Sequence, residues 1–286
     1  MKYTYYPGCS MEGTGRNYGE SLIAVFRALG HELEPVPDYN CCGFIAYMSI
    51  DQAQALALAA RNLSIAEQRG VKDLLTPCTA CQVVLNRVDD FRVRYPQLVE
   101  KVLGTMREWG LDYRGTVKIK HPLEVLYDDV GVEKMKEMAR GKLAGFRVAC
   151  YYGCLYNRPH GITEERFFPT KMEEIFSGLG MEVADYHLKT KCCGGSLTNT
   201  VERVGLDSVF KLLQGAKRLG VDAIATTCPL CQFNLEAYQG RISSMFGEDV
   251  HVPVMYFSQV LGIEFGLSGE QLGLQRLFAP AKVAKA

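Results

Sequence analysis

The sequence carries no excess of either charge: Lys+Arg and Asp+Glu each number 32. A chain without net positive charge does not hold nucleic acid or anionic lipid by bulk electrostatics. No apolar run approaches the roughly 20 residues needed to cross a bilayer. The opening MKYTYYPGCSMEGTG has one lysine and no long apolar stretch. An export signal is therefore not expected, and a cytoplasmic location is. No G-x-G-x-x-G follows a strand and no P-loop occurs, so the nicotinamide, flavin and nucleotide fingerprints are missing. Missing too is the ferredoxin run C-x-x-C-x-x-C-x-x-x-C-P. With 48% apolar and 22% charged residues, the composition excludes disorder and leaves an ordinary globular protein.

What is abundant is cysteine, at eleven residues. In a chain this long with no export signal, thiols stay reduced, and clustered cysteines are metal ligands or catalytic thiols more often than disulfides. Their order repeats. Cys9, the pair Cys41-Cys42 and Cys78-x-x-Cys81 are followed by Cys154, the pair Cys192-Cys193 and Cys228-x-x-Cys231. The first gap is 31 residues in one copy and 37 in the other, and the second is 35 and 34. Adjacent pairs and C-x-x-C spacings are each expected about 0.4 times by chance at this cysteine content, yet each occurs twice in the same order. Flanking residues repeat as well. Tyr6-Pro7-Gly8-Cys9 answers Tyr152-Gly153-Cys154, Gly70-Val71 answers Gly220-Val221, and His121-Pro122-Leu123-Glu124-Val125-Leu126 answers Tyr256-Phe257-Ser258-Gln259-Val260-Leu261. The chain reads as two homologous lobes, residues 1–130 and 146–270, with a charged linker at 131–145 and a tail at 271–286.

Patterning places the motifs. Residues 146–152, 181–184 and 223–227 read as strands, and 172–179 and 228–238 as helices. Asn199-Thr200-Val201-Glu202 resembles a capping box opening a helix that runs to Gly220. In the first lobe Ser49-Ile50-Asp51-Gln52 is the corresponding box, 53–68 the helix and 73–76 the strand. Strands alternating with helices predict α/β, Rossmann-like lobes with mainly parallel sheets. In such sheets ligands gather beyond the carboxyl ends of strands, where every cysteine group falls. Neighbouring side chains of a strand point to opposite faces. Both sulfurs of a Cys-Cys pair therefore face one site only if the backbone leaves regular geometry, which Gly43 and Gly194-Gly195 permit. Each C-x-x-C should open a helix, with Pro77 and Pro229 at its entry. Five thiols per lobe suit a cluster of several irons with one bridging sulfur, or a four-thiolate site with one free reactive thiol; zinc wants four.

The doubled C-x31–37-C-C-G-x33–34-C-x-x-C over nearly the whole chain resembles the cysteine-rich CCG-domain family, most of all the B subunit of heterodisulfide reductases. The resemblance implies that Cys9, Cys41, Cys42, Cys78 and Cys81 hold one noncubane 4Fe–4S cluster. Cys154, Cys192, Cys193, Cys228 and Cys231 would hold a second, with a disulfide cleaved between them. It further implies a complex with a cubane-cluster C subunit and a flavin-bearing A subunit. CCG motifs also occur in electron-relay subunits of 2-hydroxyacid and glycerol-phosphate dehydrogenases, which is the competing reading; a zinc-stapled scaffold is the third. Arg158, His160, Lys189 and Lys191 crowd the second motif, either to bind an anionic substrate tail (Arg158 and Lys191 foremost) or to balance cluster charge. Cys150 has no counterpart and reads as a buried small hydrophobe. His121 and His187 read as structural, and residues 53–60 as core packing. Tyr5, Tyr6, Tyr151 and Tyr152 read as cleft walls or buried strand residues.

Overall fold

The structure is a computed structural model describing residues 1–44, 47–158 and 168–279. The first half contains β1 (Lys2–Tyr5), α1 (Arg16–Ala28), β2 (Glu32–Pro35), α2 (Gln52–Gln68), β3 (Asp73–Leu75), α3 (Thr79–Arg94), α4 (Pro96–Arg107), β4 (Lys118–Lys120) and the short α5 (Pro122–Glu124). A π-helical turn, Val125–Val130, and α6 (Val132–Met138) lead into the second half. There follow β5 (Arg147–Tyr151), α7 (Lys171–Gly178), β6 (Glu182–Val183), the short α8 (Leu197–Thr200), α9 (Glu202–Arg218) and β7 (Ala223–Thr226). The last elements are α10 (Pro229–Ala237), α11 (Gln239–Phe246), β8 (Val254–Tyr256) and α12 (Phe257–Glu264).

Each half forms a four-stranded sheet, ordered β2-β1-β3-β4 and β6-β5-β7-β8. Every pairing is parallel. The expected pair of duplicated α/β lobes is therefore present, with identical strand order in both. In each sheet the chain reverses direction of travel between its two central strands, so the crevice beyond their carboxyl ends is the natural ligand position.

Alternation along the strands feeds two cores. Val148 and Cys150 face a core that also holds Tyr18, Leu22, Phe26, Leu126, Phe176, Phe257 and Leu261. Ala149 and Tyr151 face the opposite core, with Leu63, Val84, Leu103, Leu206, Leu213 and Ile242. Helices α1, α5, α7 and α12 thus lie between the sheets, while α2–α4 cover one outer face and α9–α11 the other. Helix α1 packs directly on α12 of the other half, and Ser21 and Ser258 share a buried hydrogen bond of 2.7 Å there.

Several local expectations shift. Asp51, not Ser49, caps α2: its carboxylate accepts from the N–H groups of Ala53 and Gln54, satisfying two donors the helix leaves open. Asn199 caps nothing; it sits within α8, and α9 starts after Val201 without a side-chain cap. Pro229 takes the first position of α10, whereas Pro77 precedes Cys78, the N-cap of α3, and so lies outside that helix. Residues 131–145 carry α6 and a turn pinned to Glu264, whose fully buried carboxylate accepts from the N–H groups of Arg140, Gly141 and Leu143. Past residue 270, Leu272, Leu274 and Leu277 are buried in the inner core. No described helix is long and apolar enough to cross a membrane.

Candidate metal centre

Each cysteine group follows a strand end: Cys9 after β1, Cys41-Cys42 after β2 and Cys78 after β3, with the same placement after β5, β6 and β7. Strand order therefore brings sequence-distant thiols to one rim. The Sγ atoms of Cys42 and Cys81 lie 3.4 Å apart, and those of Cys193 and Cys231 3.5 Å apart. Cys41 contacts Cys42, and Cys154 contacts Cys192. In each half the second cysteine of the pair and both of C-x-x-C are buried. Cys9, Cys41 and Cys192 are exposed and Cys154 half-buried, so three sulfurs form a floor and two a rim. The halves also meet: His121 bonds the carbonyls just before Cys78 and Cys228, and the two thiols perturb each other across the lobe boundary.

Matched devices hold the two sets. The φ angles of Gly43 and Gly194 are +78° and +88°, the left-handed region that bends the chain after each pair. Tyr6 donates its hydroxyl to the carbonyl of Asn40, and Tyr151 donates to that of Lys191, both at 2.7 Å. Each tyrosine thus tethers the residue before a Cys-Cys pair. Tyr151, three residues before its cysteine as Tyr6 is, is the true counterpart of Tyr6; the Y-G-C match to Tyr152 is one residue out of register. Tyr5, Tyr6, Tyr151 and Tyr152 are all buried, and Tyr152 binds Glu173 and the Met172 N–H. Asn62 accepts from the Asn40 N–H at 2.9 Å and donates to its carbonyl at 3.1 Å. In the second half Asn234 donates to the carbonyls of Cys193 and Gly195 and, at 3.7 Å, to the Cys193 sulfur. Asn62, Asn234 and the tyrosine tethers carry no sequence signal beyond their repetition.

Crowding sets the electrostatics. Hydrogen bonds from Cys42 and Cys78, with burial, push the Cys81 thiol well up; Cys193 and Cys228 do the same to Cys231. Cys193 is pushed up to about 12 by Cys192 and burial. Cys192 is held low by its bonds from Cys154 and Cys193, with help from the Arg158 charge. So dense a set of buried thiolates is stable only beside compensating positive charge. The donor set, five soft sulfurs with floor and rim, therefore fits a cationic multi-iron centre. Among the described residues no three His, Cys, Asp or Glu side chains are arranged around a point to hold a single metal ion, and all eleven cysteines are free thiols.

Arg158 donates to the carbonyl of Thr190 at 2.9 Å and Lys191 is exposed beside Cys192. Lys189 is committed to Glu173 at 2.8 Å and the carbonyl of Pro169 at 2.7 Å; His160 lies outside the described residues. The first rim is instead bordered by Glu12, which accepts from Tyr39, and by Asp38, paired with Arg61 at 2.6 Å. Cys150 is fully buried on β5, facing the inner core. His187 is exposed. His121 is fully buried, and burial drives its imidazole down to about 4. Nδ1 accepts from the Leu123 N–H at 3.1 Å. The ring proton is therefore on Nε2, which donates to the carbonyls of Pro77 at 2.9 Å and Thr227 at 3.2 Å.

Comparison with known proteins agrees with this geometry. A cysteine-rich (CCG) domain model matches residues 3–86 and again 148–236. A protein of Archaeoglobus profundus, described as like the B subunit of heterodisulfide reductase, is 31% identical, over 95% of this chain and 93% of its own. The B subunit of the ferredoxin:CoB-CoM heterodisulfide reductase of Methanosarcina mazei is 32% identical, over 96% and 93%. The 8-methylmenaquinol:fumarate reductase membrane anchor subunit of Wolinella succinogenes is 28% identical, over 96% and 95%. The crystal structure of a hypothetical protein from Helicobacter pylori superposes with a TM-score of 0.76 at 14% identity, covering 98% of this chain and 52% of that one, and so shares the fold. With two matched cysteine-rich units on duplicated sheets, the chain belongs to the CCG-domain family, among the proteins like the heterodisulfide reductase B subunit.

Proposed function

We propose that this chain is the iron–sulfur catalytic subunit of a cytoplasmic heterodisulfide reductase-like complex. Cys9, Cys41, Cys42, Cys78 and Cys81 would hold one noncubane 4Fe–4S cluster, and Cys154, Cys192, Cys193, Cys228 and Cys231 another. The observation that carries the reading is that the two thiol sets adjoin at Cys78 and Cys228, whose preceding carbonyls share one donor; sets so placed fit one substrate acting at both. When bound, the clusters supply two electrons and iron sites for sulfur, and with two protons a disulfide R–S–S–R′ becomes R–SH and R′–SH. The reverse reaction uses the same groups.

The chain's own residues supply position and charge. The tyrosine and asparagine tethers fix the paired cysteines, and the buried floor keeps water from the inner sulfurs. Arg158 and Lys191 give the second rim a positive border suited to an anionic substrate end. Electrons arrive from partners, for which a cubane-cluster C subunit and a flavin-bearing A subunit fit. The electron-relay reading is favoured by the fumarate reductase relative. Anaerobic purification with iron and sulfide counts, followed by EPR during thiol titration, separates them. A spectrum that responds to thiol or disulfide supports catalysis, and an inert cubane signal overturns it in favour of the relay.

A further inference from the structure

We infer that His121 is a positioning residue that sets the separation of the two sulfur sites, because its single Nε2–H is shared between the carbonyls that precede the two C-x-x-C motifs. Pro77 O lies one residue before Cys78 and Thr227 O one residue before Cys228. Cys78 and Cys228 are the N-caps of α3 and α10. One donor thus holds two carbonyl oxygens from different lobes within two hydrogen-bond lengths of each other, and the helices that start there carry four of the ten sulfurs.

The surroundings leave the imidazole little freedom. Nδ1 is occupied by the Leu123 N–H, the ring of Tyr156 meets it edge-on at 5.3 Å and Phe257 lies at 6.0 Å. Tyr18 of α1 adds a second donor to Thr227 O at 3.2 Å, while its ring stacks on Tyr256 at 4.1 Å and 1°. Thr227 also donates its hydroxyl to the Tyr152 carbonyl at 3.2 Å. The repeat partner of His121 is Tyr256, whose hydroxyl reaches Gln232 at 3.4 Å within its own lobe. The latch is therefore single: duplication supplied two places for it, and only one reaches across. A sulfur pair that must be engaged from both sides is sensitive to that spacing, since a misplacement of ~1 Å costs on the order of a hundredfold in rate.

The inference rests on the proposed function for its consequence, but its test does not need the clusters. The metal-free full-length chain is treated with diamide, which joins two thiols as a disulfide and is itself reduced to the hydrazine. Peptide mapping then gives the ratio of cross-lobe Cys78–Cys228 disulfide to intralobe Cys42–Cys81 and Cys193–Cys231 disulfides. In His121→Phe, which keeps the ring and removes the donor, the ratio should fall about fivefold or more, the value of one buried hydrogen bond near 1 kcal/mol. His121→Gln, which restores an N–H, should recover much of it. Tyr18→Phe should give a smaller fall, and carries the test if His121→Phe does not fold. Leu63→Ala, a core change that removes none of the latch hydrogen bonds, should lower stability and leave the ratio unchanged. In the iron-loaded protein the magnetic coupling between centres should weaken in His121→Phe. An unchanged ratio in both His121→Phe and Tyr18→Phe, or an equal fall in Leu63→Ala, overturns the latch; a normal ratio response in a protein that binds no iron overturns only the function.

Discussion

Replacing Gly153 by alanine tests whether the sulfur floor is as tightly built as described. Gly153 has φ +73°, and a Cβ there would stand 2.9 Å from the Sγ of Cys231. Two costs arise. An L-residue in the left-handed region loses ~1–2 kcal/mol, and overpacking a close-packed site adds ~1–3 kcal/mol. Gly220 provides the control: its φ is +64° and nothing lies within 4 Å of its would-be Cβ. Gly220→Ala therefore carries the backbone cost alone, and the difference isolates the sulfur contact. Urea unfolding of both metal-free variants should show Gly153→Ala the less stable by ~1–3 kcal/mol. After anaerobic purification, Gly153→Ala should retain about half the wild-type iron, because ligand placement and metal binding are coupled and only the second set is disturbed. Equal stabilities for the two variants together with full iron content would refute the reasoning.

Ser21→Ala should destabilise by stranding the buried Ser258 hydroxyl and Ser258→Ala should cost less, because Ser21 keeps its bond to the Tyr18 carbonyl; the double variant should cost less than the sum of the two by ~1 kcal/mol, and denaturant melts of the cycle check it. Glu264→Ala should cost ~2 kcal/mol or more in the same melts by removing the acceptor of the Gly141 and Leu143 N–H groups, the Arg140 N–H keeping the Glu264 backbone carbonyl, and Glu264→Gln less. Burial raises the Glu236 carboxyl from 4.5 to about 7. The native state thus holds a proton the unfolded chain has released, and this group's stabilisation is complete below pH 4.5 and lost as pH rises through 7. The stability of wild type relative to Glu236→Gln should fall by about 3 kcal/mol at most across that window; parallel curves would contradict it. Arg158→Ala should raise KM for an anionic disulfide with kcat less affected, and unchanged kinetics would remove the anion role.

Repetition made the lobes, the cysteine groups and the strands that precede them legible, because a duplicated chain displays every constrained position twice; β4 and β8, three residues each and followed by no cysteine, were not legible. The Cys-Cys-Gly bend was readable for a physical reason: two neighbouring sulfurs cannot face one site on a regular strand. What escaped was whatever one lobe does to the other. His121 reads as an isolated histidine, since its partners are two backbone carbonyls that leave no side-chain trace, one of them 106 residues away. The contact of Cys78 with Cys228 is hidden likewise, as each belongs to its own motif. Residues 131–145 read as a charged linker because their contacts are backbone N–H groups gathered by Glu264, a single distant carboxylate. Asp51 takes the place of Ser49 as a cap because both are good caps two positions apart, and only the helix start decides between them.

The inner helical layer has one more consequence. Because α1 and α12 bury apolar surface on each other as well as on their own sheets, neither half is a complete folding unit. Residues 1–130 made alone would present Tyr18 and Ser21, which meet Tyr256, Phe257 and Ser258 of the other half, to water, and so would seek a second copy of themselves or the missing half. A gene encoding a single such unit would have been under pressure to make a dimer. Fusion of two copies would then have left their sequences free to diverge, with one copy keeping the histidine and the other adopting a tyrosine.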